Sequence, residues 1–203
     1  MRISRNYKVE DWKELSFKGQ ADWVKAVAIF QDRLETRYLE HIRAVLDRKT
    51  SGFVVLALDS ALIETLEQFW RGTRSTPYRQ GKSYFMSFFG RTSFSNHFDD
   101  NLAALFYETI RCGLLHQSEA ESNSRIKRGT DGPLVAYTVD HTGVVVNTNK
   151  FHELLERVVQ EYATDLRDPN SEKPREAFRR KMNYICRIEE KEIELDEVSS
   201  TEQ

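Results

Sequence analysis

Cysteine is nearly absent from this sequence. Its two residues, Cys112 and Cys186, form no CxxC pair, which argues against a disulfide framework and a cysteine zinc site. Long apolar runs are lacking too. The longest, Phe53 to Leu58, is broken by Asp59, far short of the roughly eighteen residues that a membrane span needs. The N-terminal stretch MRISRNYKVEDWKEL has neither the apolar core nor the small-residue cleavage site of a secretory signal. A cytoplasmic protein with reduced thiols and no membrane partner is expected. The P-loop, GxGxxG, HExxH, GxSxG and EF-hand patterns do not occur, which removes the commonest enzyme classes. The five histidines, at 41, 97, 116, 141 and 152, show no ligand spacing with one another or with the cysteines. Neither a metal nor another cofactor is expected.

The 203 residues present suit one domain able to bury its own core. The reading is a single mainly α domain over 1–195, with its core at about 21–190 and a disordered acidic tail at 196–203. Trp23, Val27, Phe30, Leu34, Tyr38, Ile42 and Val45 recur at steps of three and four, predicting one long helix from Ala21 to Arg48. Phe53 to Trp70 is apolar almost all round and reads as a deeply placed helix ended by Gly72. A third helix runs from Asp99 or Asp100 to Leu115, with the stripe Leu102, Leu105, Phe106, Thr109, Ile110 and Gly113. Residues 117–132 read as an exposed loop. Leu134 to Val139 and Gly143 to Asn147 form one small β-hairpin insertion, the only sheet expected. Helices from Asn149 and around Pro174 complete a helical bundle.

Net charge is −2, so nonspecific coating of nucleic acid by bulk charge is not implied. Charge is nevertheless uneven. Gln68 to Phe98 contains no Asp or Glu, yet it carries Arg71, Arg74, Arg79, Lys82 and Arg91 among many aromatics. These five are candidate RNA-binding residues on a long connection with stacking aromatics. The same segment also reads as core phenylalanines with solubilising arginines. Asp59 and Glu64, in the apolar second helix, read either as site carboxylates or as buried partners of arginines.

One segment remains, Glu108-Thr-Ile-Arg111-Cys-Gly-Leu-Leu-His116-Gln117, with an Arg and a His separated by four residues at the end of an amphipathic helix. RCGLLH resembles the Arg-x4-6-His motif of the HEPN superfamily. LIETLEQFWRG before it and a hairpin followed by KFHELLERV after it are similar to that family's arrangement, from Gly52 to Arg167. Many nuclease members carry Asn, Asp or His directly after the Arg; this chain has Cys112. Arg91 and His97 also satisfy the spacing, but Arg91 lies in a Gly/Ser-rich stretch and Arg111 in a patterned helix.

The resemblance implies a HEPN-like helical bundle, a homodimer with the motif in the shared cleft, and Arg111 and His116 as catalytic residues of a metal-independent endoribonuclease. It further implies a toxin or defence effector, with an antitoxin or activating partner. The alternative is a non-catalytic dimerisation or nucleotide- or partner-binding module. On a regular α-helix residues five apart differ by about 140°, placing His116 near the apolar stripe and Arg111 on the far side. A helix end near Gly113, or a second copy, is needed to unite them. In the structural reading, His116 caps terminal carbonyls and Arg111 is a surface ion pair with Glu108 or a dimer contact.

Overall fold

The computed structural model describes residues 1–129 and 131–188; the acidic tail at 196–203 lies outside them. The protein is mainly α-helical with a small β insertion. Chain order is α1 (Val9–Lys13), α2 (Gln20–Leu34), α3 (Glu40–Leu46), α4 (Gly52–Arg71), α5 (Gly81–Arg91), α6 (Asp100–Leu105), α7 (Gly113–Gln117), then β1 (Arg125–Lys127), β2 (Val135–Tyr137), β3 (Val144–Asn147), α8 (Thr148–Arg167) and α9 (Glu172–Cys186). Among the described residues no helix is long and apolar enough to cross a membrane.

The predicted first long helix is α2 and α3 joined without a break through one π-helical stretch, Glu35–Leu39. Helix α4 packs against α3, α5, α8 and α9 and stops where Gly72 adopts φ +62°, a left-handed end that glycine accepts without strain. Asp99 starts α6 by accepting from the Leu102 amide at 2.7 Å, and Asn147 starts α8 by accepting from the Lys150 amide at 3.2 Å.

Three expectations need correction. The core begins well before residue 21: Ile3, Val9, Trp12 and Leu15 are buried, and Trp12 Nε1 donates to Asn183 Oδ1 at 2.9 Å. Residues 72–98 are not one long functional connection: α5 and a 3₁₀ turn, Ser93–Asn96, lie within them, and of the two readings of this segment the core phenylalanines are the one observed. Their rings fill the core. Phe89 stacks on Phe98 at 4.1 Å between centroids, and both meet Phe106 and Phe151. Arg91 is therefore the last residue of a helix, not a loop residue. Finally, 117–132 contains β1, which pairs in parallel with β3, while β2 pairs with β3 antiparallel as the hairpin predicts. The sheet order is β1-β3-β2.

Candidate functional site

Helices α6 and α7 are one continuous rod joined by a π-helical segment, Phe106–Cys112, that contains Arg111. A π-turn accommodates one extra residue, so everything after it is rotated by about 100° relative to a regular α-helix. This overturns the projection made from sequence. Ile110 and Leu114 carry the buried stripe past the π-turn, Arg111 swings inward, and His116 turns out to solvent. The helix does not end at Gly113, which keeps φ −58° and ψ −49°; it ends at Gln117, with Ser118 left-handed at φ 56°. Gly113 serves close approach instead. The returning chain passes so near that a Cβ there would collide with the Glu119 carbonyl, and the Glu121 amide donates to the Thr109 carbonyl at 2.9 Å.

The inward arginine meets a carboxylate: Arg111 Nη2 donates to Glu64 Oε2 of α4 at 2.9 Å, with the two side chains 17% and 23% exposed. Of the two sequence readings of Glu64, partner of an arginine is the one observed. Glu108 pairs with Lys82 at 2.7 Å, not with Arg111. The guanidinium lies 5.4 Å from the centre of the Tyr107 ring, and Arg111 Nε is buried without a hydrogen-bond partner. Burial works against the charged guanidinium. The Glu64 hydrogen bond and charge, with Tyr107 and Cys112, outweigh it and hold the pKa above the ordinary arginine value. Burial and the neighbouring Cys112 push the Tyr107 hydroxyl upward. Helix α5 abuts this wall so closely that a Cβ on Gly81 would collide with the Tyr107 hydroxyl. Within the chain, then, Arg111 is a fixed, half-buried cation, and His116 stands exposed on the last turn of the same rod.

The five basic candidates divide. Arg71 Nε donates to Glu67 at 2.6 Å, and Arg91 reaches the same carboxylate at 3.3 Å; Glu67 is fully buried. These two are thus brought together. Arg71 also lies over the Tyr84 ring at 4.4 Å. Lys82 is tied to Glu108. Arg74 and Arg79 are exposed, Arg79 lying over the exposed Tyr78 ring at 5.1 Å. Tyr78 is the exposed ring of this segment, whereas Tyr84, Phe85, Phe88, Phe89, Phe94 and Phe98 are buried.

Sequence reasoning missed a second buried pair. His152 Nδ1 lies 2.8 Å from Asp59 Oδ1, both side chains wholly enclosed between α8 and α4. Asp59 thus has an imidazole where an arginine was one expectation. His152 Nε2 faces Glu156 at 3.7 Å, beyond hydrogen-bond length, and Glu156 binds Arg43 at 2.6 Å. The signal was present: Asp59 and His152 each interrupt an otherwise apolar helix face. Among the described residues no group of three or more His, Cys, Asp or Glu is placed to hold a metal ion.

No family model, curated protein or solved structure matches this chain.

Proposed function

We propose that this protein is a HEPN-type, metal-independent endoribonuclease acting as a homodimer. The observation that carries the reading is the Arg111 side chain. It is anchored by Glu64 at 2.9 Å on a rigid helix pair, with an Nε donor left unsatisfied, and His116 is free on the same rod. The side chain stays 17% exposed, and that accessible edge, not the enclosed Nε, is what a phosphate oxygen can meet. Because the two residues point apart within one protomer, the active arrangement combines copies across a twofold axis near residues 111–116.

The chemistry follows from the residue types. The 2′-OH of RNA attacks the adjacent phosphorus, and the 5′ oxygen of the next nucleotide leaves. His116 accepts the proton from the nucleophile or supplies one to the leaving oxygen. Arg111 offers a permanently charged planar fork to the non-bridging oxygens as charge builds on them. The products carry 2′,3′-cyclic phosphate and 5′-OH ends, and DNA is left intact because it lacks the nucleophile. A toxin or defence role in the cytoplasm, restrained by an antitoxin or released by an activator, fits such an activity.

The second reading, a non-catalytic dimerisation or nucleotide- or partner-binding module, is favoured by two features. Glu64 already occupies Arg111, and Cys112 replaces the polar residue that many nuclease members carry next to the Arg. Light scattering of the purified chain, together with incubation of mixed RNA and DNA in excess EDTA, separates the two. The nuclease reading expects a dimer that degrades RNA and spares DNA. A strict monomer at micromolar concentration contradicts the shared cleft.

A further inference from the structure

Strand β1 carries Arg125 and Lys127 on the outer face of the small sheet, both exposed and two residues apart, hence roughly 6.6 Å along the strand. Neither makes an ion pair or side-chain hydrogen bond among the described residues. Their heads border a trough of about 500 Å³ whose wall includes Tyr137, Val139 and Val145, a volume within the range of ligand sites. Val139 is an apolar side chain wholly exposed at the rim. The carboxylate on this rim, Asp140, stays ionised, its pKa lowered by its hydrogen bonds, but it forms no ion pair with Arg125 or Lys127 among the described residues. Its oxygens are taken by Thr138 Oγ1 at 2.6 Å, Asn123 Nδ2 at 2.8 Å and the Thr142 amide at 3.2 Å.

The trough is held on a firm frame. Ile126, between the two cations, packs on α4 so tightly that a Cβ on Gly52 would come within 2.8 Å of it. Ser124 Oγ donates to Thr109 Oγ1 at 2.7 Å, and Thr109 lies two residues before Arg111. The Tyr137 hydroxyl donates to Asp99 at 2.8 Å, fixing its ring beside that of His141 at 5.0 Å. Two cations without ion pairs among the described residues, at the spacing of successive phosphates and beside the apolar surface of Val145 and Val139, match the chemistry of a single-stranded nucleic acid.

We propose that this trough is a phosphodiester-strand subsite in which Arg125 and Lys127 each contact a backbone phosphate and the Val139 and Val145 side supports a base. The inference rests on RNA as the substrate class, and its test is independent of cleavage. The probe is a fluorescein-labelled single-stranded oligodeoxythymidine, which lacks the 2′-OH and cannot be cut, titrated by anisotropy over a range of salt. The double variant Arg125→Ala and Lys127→Ala should bind on the order of tenfold more weakly, with a log–log salt slope shallower by about 1.4, since each phosphate contact on a single strand contributes about 0.7. Val139→Glu, a change at an unpacked position, should weaken binding in the same sense. Polyglutamate and adenosine monophosphate should displace the probe poorly. An unchanged affinity and slope in the double variant overturns the subsite. Equal displacement by polyglutamate overturns it in favour of an acidic-peptide surface, and equal displacement by the mononucleotide in favour of a nucleotide pocket. RNA cleavage with an unaltered slope would sink the trough alone; a trough that binds as expected while His116→Ala cleaves RNA as fast as the wild type would sink the catalytic reading alone.

Discussion

Arg111→Lys should reduce RNA cleavage by about 10²–10³-fold, the usual loss when one donor to a developing oxyanion is removed. The substitution keeps the positive charge and a salt bridge to Glu64, so dimer formation and melting temperature should change little. The planar fork is lost, and with it the ability to hold Glu64 through Nη2 while presenting further donors to a phosphate. Steady-state cleavage measured beside thermal melting checks this. Retention of full activity by the lysine variant contradicts a role for guanidinium geometry and reduces Arg111 to a structural cation.

Asp59→Ala should have the largest effect on stability, about 3–5 kcal/mol, because it strands the wholly buried His152 without its partner. Urea denaturation at neutral pH measures it. Replacing both residues by leucine removes the buried polar groups together, and most of the lost stability should return. A loss below about 1 kcal/mol in the alanine variant would show that the pair is poorly coupled to folding. The sign of the pH effect is also fixed. Burial raises the Asp59 carboxyl above its ordinary 3.8, and the hydrogen bond and charge of His152 offset this only in part. The folded chain therefore keeps that proton to higher pH than the unfolded chain does. The stability from this group is full below 3.8 and falls as pH climbs through the raised value, a slope that Asp59→Ala should abolish.

The helices were legible where period and punctuation agree. Helix α4 shows its apolar face, and Gly72 marks its left-handed end; α8 shows its stripe, and Asn147 caps it. Strand β1 was hidden because Arg-Ile-Lys presents a single apolar residue, Ile126, and its partner β3 lies beyond the hairpin turn. The core role of the phenylalanines in 72–98 was legible, but the helix carrying them was not, because Gly81 and Gly90 look like loop punctuation, whereas they sit in the first and last turns of α5. At the site, the motif residues were visible but their directions were not. No residue type announces a π-turn, and the one at Phe106–Cys112 exchanges the faces on which Arg111 and His116 emerge.

The central claim turns on His116, whose exposure at the end of α7 allows chemistry and folding to be separated. Wild-type protein and His116→Ala should be incubated side by side with RNA in excess EDTA, the fragment ends identified, and both proteins melted. The account predicts 2′,3′-cyclic phosphate ends from the wild type, a loss of about 10²–10⁴-fold in cleavage rate for the variant, and closely matching melting temperatures. An EDTA-resistant wild type whose His116→Ala variant remains equally active would contradict it.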